Sequence, residues 1–365
     1  MFKSKAIFAC GLAVLAGCTT VPRDSTQPRR AGKALPPNGE LVPAEVPAPT
    51  APAPVATPPP ETVTFPTPST APELNWLSLN RWGAERGFGA LRRVSATPVE
   101  SFALPTTNGA FIVTVGSHTA YWNGLALRLG FAPQVIDGEP SVHALDARKT
   151  FEPSLQGLVV PARSNRVIVI DPGHGGSNPG TRSAADGRLE KELTLDWARR
   201  LKLLLEERGW RVFLTRTNDV DVSLADRVAL AEQQRADLFL SLHFNSAGAG
   251  QHEQSGLETY CLTPAGMPSS LTRGYGDDAS QCFPNNAHDD QNLKYALRLH
   301  RALLAVNGAA DRGVRRARFI GVLRGQHRPA VLVEGDYLSN PAEARRIGDP
   351  SHRQKLAEAI AKVLE

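Results

Sequence analysis

The chain has 365 residues, with 41 Lys and Arg against 36 Asp and Glu for a formal charge of +5, and it carries 29 prolines. Length alone admits two or more domains. No basic run is interleaved with aromatics, so a nucleic-acid surface is not indicated, and the mild basic excess suits a polyanionic environment.

Lys3 and Lys5 precede an apolar run from Ala6 to Leu15. That run is too short to span a bilayer but has the plan of a secretory signal, which assigns residues 1–17 to a leader. The following Leu15-Ala16-Gly17-Cys18 resembles a bacterial lipobox. The resemblance implies acylation of Cys18 and a membrane lipid anchor. Because residue 19 is Thr19 and not aspartate, it further implies the periplasmic face of an outer membrane. Cys10 leaves with the leader.

Val21 to Pro72 holds 15 of the 29 prolines and almost no large apolar side chains, so it cannot bury a core. Runs such as Pro58-Pro59-Pro60 favour polyproline II, a semi-rigid spacer rising about 3.1 Å per residue. Residues 18–73 therefore read as a lipidated tether.

Aromatics and apolar alternation return over 74–158, as in Gly109-Ala110-Phe111-Ile112-Val113-Thr114-Val115, and predict a small β-rich or α+β domain. Tyr121-Trp122-Asn123-Gly124, Val135-Ile136-Asp137-Gly138 and Val142-His143-Ala144-Leu145 resemble the small domain named after the N-terminal region of copper amine oxidases. An accessory wall-binding module and a structural spacer both fit this stretch.

From Asn165 to Glu365 apolar strands alternate with helical patterns. Val167-Ile168-Val169-Ile170 predicts a buried strand, and Leu189, Leu193, Trp197, Leu201 and Leu205 recur every four residues along the next helix. Val212-Phe213-Leu214 is a second strand, Ser223 suits the N-cap of a helix through Val228 and Ala231, and Leu238 to Leu242 is a third strand. Val331-Leu332-Val333 adds another. This order predicts an α/β domain with a mostly parallel twisted sheet, helices on both faces, and ligands at the C-terminal strand ends.

Four chemically capable side chains sit where these strands end or helices begin: His174, Glu190, His243 and Glu334. Two imidazoles and a carboxylate form a set that Zn²⁺ favours, with a fourth position left open. Taken alone, a histidine ending a strand is more often a satisfied polar residue than a ligand, and a glutamate at a helix start usually serves the macrodipole. Their joint position is the signal. Asn245 and Arg324 are weaker candidates for substrate contact.

Asp171-Pro172-Gly173-His174-Gly175-Gly176, Glu190-Lys191, Ser241-Leu242-His243-Phe244-Asn245 and Val331 through Asn340 together resemble the ordered motifs of zinc-dependent N-acetylmuramoyl-L-alanine amidases of amidase type 3. The resemblance covers about 165–365. It implies that His174, Glu190 and His243 hold Zn²⁺ and that Glu334 is catalytic, first as general base and then as general acid. The implied substrate is peptidoglycan, cut at the amide between the lactyl group of N-acetylmuramic acid and L-alanine, in wall remodelling or cell separation. Another zinc hydrolase of peptidoglycan and a wall-binding lipoprotein with a degenerate amidase fold are the alternatives; no His-Glu-x-x-His helix supports the first, and all four motif residues are present against the second.

Two features bear on regulation. In an oxidising compartment Cys261 and Cys282 are candidates for a disulfide, with two free thiols as the alternative. Some members of the family carry an inserted helix in the stretch that runs here from Tyr260 to Asn292, and a regulatory partner must remove it. Here Pro264, Gly266, Pro268, Gly274 and Gly276 interrupt the stretch, which argues against a plug helix.

Overall fold

The computed structural model describes residues 75–365 apart from 159, 161–165, 249–251, 273 and 275. The leader, Cys18 and the proline-rich tether lie outside the described residues.

The N-terminal part begins with β1 (Trp76–Ser78) and α1 (Leu79–Glu85), continues through the meander β2 (Arg92–Ser95), β3 (Ser101–Thr106), β4 (Gly109–Thr114), β5 (Thr119–Trp122) and β6 (Leu125–Arg128), and adds β7 (Gln134–Ile136) and β8 (Glu139–His143). A helical segment follows, made of α2 (Ala144–Asp146), a π turn (Ala147–Phe151) and α3 (Glu152–Leu155). Along β4 and β5 burial alternates as the period of two requires: Phe111, Val113, Ala120 and Trp122 point into the core, while Ile112 and Tyr121 face out.

The remainder runs β9 (Arg166–Pro172), α4 (Glu190–Glu207), β10 (Trp210–Leu214), α5 (Leu224–Gln233), β11 (Leu238–Asn245), β12 (Leu257–Cys261), a 3-10 turn (Pro284–His288), α6 (Asp289–Asn307), β13 (Asp311–Arg316), α7 (Gly321–Arg324), β14 (Ala330–Tyr337), α8 (Pro341–Gly348) and α9 (Pro350–Val363). Ser223 caps α5 as expected, accepting a hydrogen bond from the Asp226 amide. Between β12 and α6 the 3-10 turn is the sole helical element among the described residues.

Eleven strands form one sheet in the order β10-β9-β11-β14-β12-β13-β6-β5-β4-β3-β2; β1, β8 and β7 form a second. The strands β10, β9, β11 and β14 are mutually parallel. The expectation of a mostly parallel catalytic sheet needs one correction, because β12 runs antiparallel to β14 before β13 resumes parallel pairing with β12. The sheet is mixed.

Alternation along β9 divides the core. Ile168 and Ile170 pack with α4, α6 and α9 on one face, whereas Val167 and Val169 pack with Ala231 of α5 and with Val322 and Leu323 of α7 on the other. Helices thus cover both faces in the region of β9, β11 and β14. The N-terminal meander joins the same sheet where β6 pairs parallel with β13 at Leu127 and Val314. No helix among the described residues is long and apolar enough to cross a membrane.

Candidate metal centre and reaction site

The segment after β9 must turn sharply at the C-terminal edge of the sheet. Asp171, 1% exposed, accepts hydrogen bonds from Thr215 Oγ1 at 2.6 Å, Arg227 at 2.6 Å and Ser241 Oγ at 2.8 Å. Burial alone would raise its pKa, but the Arg227 guanidinium and these hydrogen bonds hold it below the ordinary value. The same Arg227 donates to the His174 carbonyl at 2.8 Å, and Arg216 donates to the Gly173 carbonyl at 2.8 Å. His174 adopts a φ of 63°, a conformation an L-residue keeps only when its surroundings over-determine it. Two arginines gripping consecutive carbonyls do so here.

His174 Nδ1 meets Asn178 Oδ1 at 2.9 Å, which turns Nε2 toward Glu190 Oε1, 3.0 Å away. Glu190 opens α4, and it is fixed by the Thr181 amide on Oε2 at 2.9 Å and the Phe244 amide on Oε1 at 3.1 Å. His243, on β11, brings Nδ1 to 3.1 Å from Glu190 Oε1. One donor atom from each of the three residues falls within 4.8 Å of the others. Gly173 and Gly180 make this approach feasible. A Cβ on Gly173 would sit 2.2 Å from His243 Cε1, and one on Gly180 would sit 2.6 Å from Glu190 Oε2 and 2.7 Å from His174 Cδ2.

The charges are coupled. Burial disfavours the His174 imidazolium, yet Glu190, Asn178 and Glu334 outweigh it and raise the pKa. At His243 burial prevails and lowers the pKa despite Glu190. Burial would lift the Glu190 carboxyl, but His174 and then His243 hold it well below the usual carboxylate range. Two imidazoles and an ionised carboxylate converging in a buried niche are a donor set that fits Zn²⁺ or a similar borderline cation.

Glu334 lies on β14 directly opposite His243 in the parallel ladder, so both side chains leave the same face of the sheet. It is 9% exposed, and its charge is felt at His174. Asn245 does not contact the three clustered residues; it donates to Glu258 Oε2 at 2.9 Å. Arg324 ends α7 exposed, with its guanidinium 5.6 Å from the centre of the Phe283 ring. The expected bridge between Cys261 and Cys282 is not formed. Cys261 is buried with its Sγ against the Arg315 carbonyl, whereas Cys282 is exposed on the following loop.

Glu258 was not anticipated from sequence. It stands opposite Glu334 on β12, is 1% exposed, and receives Arg315 at 2.6 Å, Arg312 at 2.7 Å, Tyr260 Oη at 2.6 Å and Tyr337 Oη at 3.3 Å. Its sequence signal is a charged residue at an otherwise apolar strand position. The motif-based reading passed over it because its partners come from separate elements.

Known proteins match this region. The sequence model of the family described as N-acetylmuramoyl-L-alanine amidase matches residues 168–365, from β9 to the C-terminus. The chain is similar to the N-acetylmuramoyl-L-alanine amidase AmiA of Escherichia coli strain K12, at 30% identity over 258 residues covering 65% of this chain and 88% of that one. It is also similar to AmiC of Neisseria meningitidis serogroup B, at 34% identity over 215 residues covering 53% of this chain and 51% of that one, so it spans about half the length of that relative. Among solved structures, the N-acetylmuramoyl-L-alanine amidase from Clostridium difficile 630 aligns with 55% of this chain and 96% of that one at 29% identity and a TM-score of 0.46. The matched region contains His174, Glu190, His243 and Glu334, and the chain belongs to the N-acetylmuramoyl-L-alanine amidase family.

Proposed function

We infer that the protein is a Zn²⁺-dependent hydrolase that cuts the amide between the lactyl group of N-acetylmuramic acid and L-alanine in peptidoglycan. The observation that carries this reading is the convergence of His174, Glu190 and His243, with Glu334 opposite His243, inside the segment that matches the amidase family.

His174, Glu190 and His243 would hold the metal, and Zn²⁺ there would supply Lewis-acid polarisation of a carbonyl and acidification of water toward a pKa of about 7. The chain's own residues supply the remainder. Asn178 fixes the His174 ring, and the Thr181 and Phe244 amides fix Glu190, so the donors are oriented before any cation arrives. Glu334 takes a proton from the attacking water through a carboxylate oxygen. As the carbon–nitrogen bond breaks, it returns that proton to the leaving nitrogen. A lactyl carboxylate and a free L-alanine amine result.

The N-terminal sequence supports an exported lipoprotein anchored through Cys18 at the periplasmic face of an outer membrane, with 18–73 as tether, 74–158 as accessory domain and 165–365 as catalytic domain. Such an enzyme would serve wall remodelling or cell separation. A Cys18→Ser protein that still partitioned with membranes would refute the anchor.

Isolated sacculi test the reaction. The purified protein should release free L-alanine amino termini, a chelator should stop the release, and Zn²⁺ should restore it. A Glu334→Gln protein that retained full rate while binding metal would overturn the role given to that carboxylate.

A further inference from the structure

The sheet register links the metal centre to the N-terminal meander along one face. His243 pairs with Glu334, and Glu334 pairs with Glu258. On the next strand Arg312 and Arg315 reach back to Glu258, and on β6 Leu127 pairs with Val314 and is followed by Arg128. Paired residues on neighbouring strands project from the same side. Beyond Arg128 that side carries Tyr121 and Ile112, 41% and 37% exposed, so no helix covers it there.

The charges on this face do not balance. Three guanidinium groups face two carboxylates, Glu334 and Glu258, and only Arg312 and Arg315 are paired with Glu258. Among the described residues Arg128 is in no ion pair and donates to Thr119 Oγ1 at 2.8 Å. Arg315 Nε is buried and has no hydrogen-bond partner among the described residues. Arg128 also feels the other two cations: burial first, and then Arg315 and Arg312, lower its pKa against the pull of Glu258. Half-buried arginines that outnumber the carboxylates on their face are arranged to receive a further anion.

We propose that Arg128, Arg312 and Arg315 form a carboxylate-binding subsite for the peptide portion of the substrate, with Arg128 contributed by the N-terminal meander. The proposal rests on the amidase reading above. From β14 to β13 is two strand spacings, roughly 10 Å at about 4.8 Å each, which equals about three extended residues. A stem peptide with γ-linked glutamate second and a diamino diacid third bears a free carboxylate on each of these residues. With its scissile amide near Glu334 and its chain directed across the sheet, it brings one of them to the arginines. On this account the N-terminal strands belong to the substrate-binding surface, and Glu258 holds Arg312 and Arg315 apart from the catalytic carboxylate.

Two soluble muramoyl tripeptides provide the test, identical except that the carboxylates of residues two and three are free in one and amidated in the other. The wild-type protein should prefer the acidic fragment by about tenfold or more in kcat/KM, the scale of one charge-assisted hydrogen bond. Arg128→Gln should lose most of that preference through KM, and Arg128→Lys should retain part of it. If the wild type cleaves neither fragment, the amidase reading fails. If it cleaves both and Arg128→Gln keeps the preference, the subsite alone is refuted. An equal loss on both fragments also refutes the subsite, since it marks a purely structural residue.

Discussion

Arg227 and Asp171 form a buried ion pair at 2.6 Å beneath the turn that carries His174, and the same guanidinium donates to the His174 carbonyl. Support of the candidate metal centre and support of the fold therefore pass through one side chain. Arg227→Ala leaves the Asp171 charge buried without its partner, so unfolding free energy should fall by about 3 kcal/mol or more in urea titrations. Because the folded-state pKa of Asp171 is depressed, the pair's contribution is present above the unfolded carboxyl value and is lost as pH falls. The difference between wild type and variant should shrink in acid.

Gly173→Ala is expected to spare the fold and damage the metal centre. The added methyl occupies the His243 ring position, 2.2 Å from Cε1, and the ring must turn away from Glu190. Metal affinity measured by competition with a chromogenic chelator should fall by about 10-fold to 100-fold, with the far-ultraviolet circular dichroism unchanged.

Metal loading should release protons. Burial works against the His174 imidazolium, but Glu190 and its neighbours raise the pKa, so in the metal-free protein this ring holds a proton more firmly than a free histidine does. The proton's contribution to stability is present below the unfolded histidine value and lost as pH rises through the folded one. Calorimetric titration of the metal-free protein with Zn²⁺ near neutral pH, in two buffers of different ionisation enthalpy, should give different apparent heats. Equal heats would contradict the coupling.

Asp336 provides a separate pH signature. Burial, and then the neighbouring Glu343 carboxylate, push its pKa up to about 6 against Arg346 and Asn307. The folded state therefore binds the extra proton more tightly than the unfolded state, and stability falls as pH rises from about 4 to about 6, on the order of 3 kcal/mol in total. Asp336→Asn should flatten that decline in urea midpoints measured across the range. Asparagine also tolerates the φ of 84° at this position.

The two thiols should react at different rates. Cys282 is exposed, while burial pushes the Cys261 thiol up to about 11. In native protein iodoacetamide should alkylate Cys282 quickly and Cys261 only after denaturation, read by peptide mass mapping of the two sites. A disulfide-linked pair of peptides carrying Cys261 and Cys282, seen in mass spectra of the unreduced native protein, would contradict this.

Much of the catalytic half was legible because its elements carry strong local patterns. Ile168 and Ile170 alternate with Val167 and Val169, and Leu193, Trp197, Leu201 and Leu205 recur at helical spacing, so β9 and α4 follow directly. Of the motif residues, His174 follows β9 and Glu190 opens α4 as expected of ligands at element ends, whereas His243 and Glu334 lie within β11 and β14. By contrast β13 reads Asp-Arg-Gly-Val-Arg-Arg and has a single large apolar residue, Val314. Its place in the sheet depends on Glu258 neutralising Arg312 and Arg315 and on Leu127 pairing beside it, which are contacts between distant parts of the chain. The antiparallel entry of β12 escaped notice for the same reason. Nearness in sequence also misled the cysteine pairing, since Cys261 turns into the core and Cys282 turns out.

The join between β6 and β13 has a practical meaning for anyone who trims this chain. A fragment beginning at residue 166 would strip the neighbour from β13, leave its backbone amides and carbonyls unpaired along a new edge, and uncover Val314, which packs in the same core as Leu127. Such an edge invites a second molecule to add its own strand. The shortened protein would be expected to self-associate more on a sizing column than the chain that keeps its meander.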